Sequence, residues 1–110
     1  MTKDTERAFV IIYSEYLRRR SFGTAKNQAV RFESAKLYAI DAFSEWNPED
    51  IRYCLQELRK LNYIKMDIIG DVTLQEHGIE YMENKPMEYF SSFAGIVKGL
   101  AELIAAFLPI

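Results

Sequence analysis

Apolar positions along this chain recur with the period of a helix, then of a strand, then of a helix again. Over residues 5–20, Ala8, Ile11, Ile12 and Tyr16 share one helical face with Phe9 at its edge, while Arg7, Glu15, Arg18, Arg19 and Arg20 point away. Gly23 is placed to end this helix, because glycine enters the left-handed conformation without a Cβ clash. Residues 24–43 also read as helix. Val30, Ala35, Leu37, Tyr38, Ala42 and Phe43 are set against Lys26, Arg31, Lys36 and Asp41, and a break near residues 32–34 would divide the segment in two.

Asn47-Pro48-Glu49-Asp50 is a helix start: Asn47 caps, Pro48 fits the first helical position, and two carboxylates face the positive end of the dipole. Ile51, Cys54, Leu55, Leu58 and Leu61 then form a one-sided apolar face, and Asn62 can close the helix in the left-handed region. The period changes at residues 63–69, which alternate and are rich in Ile and Tyr, as in a strand. Gly70-Asp71 supplies a turn and residues 72–74 a return strand. A short helix over 75–84 carries Ile79, Tyr81 and Met82 and stops at Lys85-Pro86. The pattern predicts a last long helix over 87–108, with Phe90, Phe93, Val97, Leu100, Ile104 and Phe107 as a stripe that Ile96 and Leu103 widen.

At 110 residues the chain is long enough for one modest core, and its 49% hydrophobic and 27% charged content is that of a globular chain. The net charge of −2 does not advertise a polyanion partner. The charge is uneven, however: residues 1–36 carry +4 and residues 37–110 carry −6. A nucleic-acid footprint should therefore draw on the N-terminal third. The single Cys54 excludes an internal disulfide or a cysteine-based metal cluster, and a reducing cytoplasm is the default setting. The charged start MTKDTERAF lacks the apolar core of an export signal.

The run LQELRKLNYIK is similar to the recognition helix and first wing strand of winged-helix regulators. VTLQEHGIEYM resembles a Leu-Thr-x-x-Gly-x-x-Tyr-Leu ending common in that superfamily, with Gly78 and Tyr81 at matching places. A winged helix-turn-helix core followed by one long helix resembles the PadR-like regulators and small uncharacterised winged-helix proteins of bacteria and phages. The resemblance implies a mainly α fold with a small β-hairpin, divided into a winged-helix domain over 1–85 and a C-terminal dimerisation helix over 86–110. It implies binding of double-stranded DNA, usually as a homodimer, in transcriptional control.

On that reading the helix over 48–61 enters the major groove. Its outer face offers Arg52, Tyr53, Gln56, Arg59 and Lys60, with Arg52 suited to guanine, Gln56 to adenine, and Arg59 and Lys60 to phosphates. Glu49, Asp50 and Glu57 share the helix, and two carboxylates at its entry oppose phosphate. The turn Asp67-Ile68-Ile69-Gly70-Asp71 is acidic too, whereas a wing used in a groove is generally basic. Arg18, Arg19 and Arg20 fan around a helix end where they complement the dipole; a backbone-phosphate role for Arg18 and Arg19 is the alternative.

No glycine loop for phosphate, no base–nucleophile pair and no partner for His77 in a metal site is readable, so neither an enzyme nor a cofactor is expected. The stripe over 87–108 is too wide for a helix that packs only on a small domain. It is assigned to a homodimer seam formed by Phe90, Phe93, Val97, Leu100, Ile104 and Phe107. The alternatives are a protein partner held by the wing and this stripe, without DNA, or a membrane surface met by the amphipathic helix. A membrane span is disfavoured by Lys98 and Glu102 in its middle.

Overall fold

The computed structural model describes residues 1–107. Its first helix, α1 (Lys3–Ser21), begins at Thr2, whose hydroxyl oxygen accepts from the Thr5 N–H at 3.2 Å. It ends as expected at Gly23, which sits at φ 91° while the Thr24 and Gly23 N–H groups close back on the Arg19 and Arg20 carbonyls. Between these caps, residues 8–14 are all buried, so α1 has no solvent face over two turns. This is a wider apolar surface than the single face read from its spacing, and it adds Val10, Tyr13 and Leu17 to the core.

Residues 24–43 fold into more elements than their helical pattern predicts. The helices α2 (Lys26–Ala29) and α3 (Ser34–Tyr38) are short, a 3-10 turn covers Asp41–Phe43, and the expected break is a two-residue strand, β1 (Arg31–Phe32). A helical period cannot show this strand, because its pairing partner lies some forty residues later in the chain. Helix α4 (Pro48–Lys60) starts as the sequence predicts: the Asn47 side chain accepts from the Glu49 N–H at 2.9 Å. At its far end Asn62 takes φ 63°, and the Tyr63 and Asn62 N–H groups reach the Leu58 and Arg59 carbonyls.

Strands β2 (Ile64–Met66) and β3 (Val72–Leu74) form the expected hairpin, but β1 joins it, giving a three-stranded antiparallel sheet in the order β1-β3-β2. The strand expected over 63–69 is shorter, because Asp67 already belongs to the turn: its N–H donates to the Asp71 carbonyl and its own carbonyl accepts from Gly70. Phe32, Val72, Ile64 and Leu74 point into the core. Helix α5 (Glu76–Glu83) then packs at Gly78 against the Tyr63 backbone, and Phe9, Tyr63 and Tyr81 form one cluster with ring centroids 4.9–5.9 Å apart.

The single helix expected over 87–108 is not what forms. Helix α6 (Met87–Ser91) and helix α7 (Leu100–Phe107) are separated by turns, and Leu108 lies outside the described residues. Ser91, Ser92, Gly95 and Gly99 weaken the helix between them, and Gly99 sits at φ 73°. Bonds three residues apart, Phe93 N–H to Phe90 and Ile96 N–H to Phe93, tighten the chain there.

The stripe nevertheless stays inward. Phe90, Phe93, Val97, Leu100 and Ile104 are buried within one chain, in the same core as α1, and only Phe107 is exposed. Helix α7 packs directly on α1, and Tyr13 meets Phe90 at 6.2 Å. The width that suggested a second subunit is matched by the equally wide surface of α1. A seam made of these five residues is therefore not exposed to a second copy. No helix among the described residues is long and apolar enough to cross a membrane.

Two stability predictions follow from this packing. A Cβ on Gly78 would lie 2.6 Å from the Tyr63 carbonyl oxygen and 3.0 Å from Phe9 Cζ, whereas one on Gly95 meets nothing within 4 Å. Gly78→Ala should lower urea stability by about 1–3 kcal/mol, with Gly95→Ala close to neutral as its control. Leu100→Asp places a carboxylate in the core and should abolish cooperative unfolding at every protein concentration. A Leu100→Asp chain that stays folded but becomes monomeric would restore the seam.

Candidate nucleic-acid interface

Helix α4 separates its side chains by chemistry. Ile51, Cys54, Leu55 and Leu58 are buried against α1 and the sheet. Burial pushes the Cys54 thiol above its ordinary pKa, which suits a core residue better than a reactive one. The opposite side carries Arg52, Tyr53, Arg59 and Lys60, all exposed, with Gln56 half-buried between them. Tyr53 is 65% exposed, an unusual position for an aromatic ring without a partner. The Arg59 Nε donates to Gln56 Oε1 at 3.1 Å, so these two side chains orient one another. Glu49, Arg52, Tyr53 and Gln56 line a shallow depression of about 300 Å³. The five residues expected on the outer face of this helix are thus brought together on one stripe.

The three acids on α4 do not share that stripe equally. Glu57 turns toward the start of α1 and accepts from the Thr2 N–H at 3.0 Å. That bond, with the Thr5 hydroxyl, pulls its carboxyl below the ordinary value. A lowered carboxyl pKa stabilises the fold above the ordinary carboxylate range, and the contribution fades as pH falls through the lowered value. Asp50 lines a different cleft, of about 480 Å³, together with Asp4, Arg7 and Trp46. Glu49 alone remains beside Arg52.

The acids of the β2–β3 turn have structural roles that their sequence does not reveal. Asp67 Oδ1 accepts from the N–H groups of Ile69 and Asp71 at 3.1 and 2.9 Å, which closes the turn with Gly70 at φ 92°. Asp71 Oδ1 accepts from the Ser34 N–H at 2.9 Å. Helix α3 has no side-chain cap of its own, so Asp71 caps it from across the fold. Ile68 and Ile69, between these acids, face solvent.

The arginines at the end of α1 are engaged within the chain. Arg18 pairs with Glu15 at 2.9 Å, and Arg20 donates to the Thr24 carbonyl at 3.1 Å. Arg19 is held more firmly: it pairs with Glu15 at 3.4 Å, donates to the Ala29 and Arg31 carbonyls, and stacks 4.2 Å over Phe32. It staples α1 to β1, while Arg18 remains half-exposed at the helix end.

A basic position that the helical reading could not place is Arg31. The sheet register sets it opposite Thr73, and Thr73 opposite Lys65, so the three form one row on the outer face. The only signal in the sequence was the alternation within 63–69, which puts Lys65 on the polar side but says nothing of Arg31. The sequence already set Ile68 and Ile69 in the turn between Asp67 and Asp71, and the structure adds that both are exposed. No protein family, curated protein or solved structure matches this chain.

Proposed function

We propose that this chain is a winged-helix DNA-binding domain that uses α4 as its recognition helix, in transcriptional control. The observation that carries the reading is the division of charge on α4. Arg52, Arg59 and Lys60 face solvent on one stripe with Tyr53 and Gln56, while Glu57 and Asp50 are turned aside toward the start of α1. The order of elements supports it: α3 and α4 lie between β1 and β2, and the hairpin that follows α4 pairs as β1-β3-β2. The cytoplasm is the compartment this reading implies.

Glu49 sets the pose. A carboxylate in the first turn stabilises the helix but repels phosphate, so α4 would meet the groove by its middle, through Arg52, Gln56 and Arg59. Arg52 is free to make paired bonds to guanine. Gln56 has its carbonyl oxygen directed to Arg59, which leaves its amide donors for base acceptors. Tyr53 offers a ring edge to a thymine methyl or a hydroxyl to phosphate. The hairpin has a smaller part, since its tip presents isoleucines between carboxylates.

Binding of the full chain to random and genomic duplexes, titrated with salt, tests the assignment. Arg52→Ala should weaken binding to the preferred sequence by about 10- to 100-fold and relax its selectivity. Lys60→Ala should weaken all sequences alike and reduce the salt slope by about 1. Affinity no better than micromolar at low salt, without sequence preference, would reject the function. Selective binding that ignores Arg52→Ala would reject this surface.

A further inference from the structure

Packing turns Glu57 and Asp50 aside, and Glu49 is the acid it leaves on the outer stripe of α4. Glu49 is exposed and stands one turn before Arg52. With about 3.6 residues per turn, Glu49, Arg52, Tyr53 and Gln56 fall on one ridge, and the four line the same depression. Neither Glu49 nor Arg52 has an ion-pair partner among the described residues. The helix start does not depend on Glu49. Asn47 caps it, and Asp50 in the same turn supplies a carboxylate to the dipole.

An ionised carboxylate accepts hydrogen bonds and donates none. Phosphate oxygens therefore repel Glu49, and so do the acceptors on the groove floor, guanine N7 and O6 and thymine O4. The same floor offers two donors, the amino groups of cytosine and adenine. That of adenine lies beside the N7 acceptor, whereas that of cytosine stands alone on its base. Thymine sets an acceptor where cytosine has its donor, so a carboxylate there separates the two pyrimidines sharply. The helix rises about 1.5 Å per residue and base pairs stack about 3.4 Å apart. Side chains three positions apart, as Glu49 and Arg52 are, then face neighbouring base pairs. The adjacent guanidinium also offsets the cost of bringing a carboxylate into the negative potential of the groove.

We propose, on the reading of α4 as a recognition helix, that Glu49 is a specificity residue for cytosine. Its carboxylate accepts from the cytosine amino group at the base pair next to the one where Arg52 binds guanine. The preferred site therefore contains two adjacent G·C pairs, one read by an acceptor and one by a donor. Repulsion from phosphate and attraction to cytosine act together: the first keeps Glu49 off the backbone, the second gives it a partner on the floor.

Selection of bound duplexes from a random library by the full chain, with Arg52→Ala and Glu49→Ala in parallel, tests this assignment. Arg52→Ala identifies the guanine position by the preference it loses. The parent's sites should carry cytosine at a neighbouring pair, and changing that C·G pair to T·A should weaken binding at least tenfold. In Glu49→Ala the same change should cost less than about threefold, and binding to unrelated duplexes should tighten because an acid is gone. Selected sites without a cytosine beside that guanine overturn the proposal. So does a cytosine preference that Glu49→Ala leaves intact, whether or not its urea midpoint falls, since a role confined to the helix start moves stability alone. A parent with no sequence preference rejects α4 as a recognition helix and takes this assignment with it, whereas selective binding that ignores Glu49→Ala rejects this assignment only.

Discussion

The burial of α1 on every side is the constraint from which the rest of the architecture follows. With residues 8–14 sealed from water, one neighbour cannot cover the helix, and its partners come from distant parts of the chain: α4 on one side, α7 on another, α2 near its end. Covering each of these large apolar side chains is worth about 1.5–3 kcal/mol. Leaving one flank of α1 open would expose Val10, Tyr13 and Leu17 together. The C-terminal segment supplies that cover and is part of the core. Its interruption at Gly95 and Gly99 has a use, since a bent segment can wrap a cylinder that a straight helix meets only along a line.

The same helix accounts for the charge pattern of the surface. Its N-terminal end binds the Glu57 carboxylate through the Thr2 N–H, and its C-terminal end fixes β1 through Arg19. One contact removes an acid from the outer stripe of α4. The other places Arg31 at the edge of the sheet. Packing thus decides which acids are withdrawn and where Arg31 stands, and a tally of charges along the sequence shows neither. The net charge of −2 counts Glu57, Asp67 and Asp71, each of which is tied to a backbone N–H.

The local features were legible in the sequence because their causes are local. The Asn47 cap, the left-handed Asn62, the end of α1 at Gly23 and the one-sided face of α4 each depend on residues within a turn or two. The outer stripe of α4 follows from its buried face, so Arg52, Tyr53, Gln56, Arg59 and Lys60 could be grouped from spacing alone. What could not be read depends on residues far apart. Strand β1 exists because Phe32 pairs with Val72, and Asp71 has its role because Ser34 opens a helix that cannot cap itself. Periodicity predicted that the C-terminal stripe is buried but not against what. Two wide apolar surfaces on one chain can satisfy each other, and here α1 and α7 do so.

That mutual satisfaction changes where a partner can be sought. Once the stripe is inside, the most exposed large apolar side chains are Phe22, Tyr53, Ile68 and Ile69. None lies on α6 or α7: they sit at the end of α1, on the outer stripe of α4 and at the tip of the hairpin. Folding has had the opportunity to cover these rings and aliphatic groups and has not done so, while Phe93 and Val97 were drawn inward even across a broken helix. An apolar group that a chain leaves in water on a rigid turn gains nothing for the monomer. A surface that covered it would have to be apolar against the isoleucines and cationic against the carboxylates on either side of them.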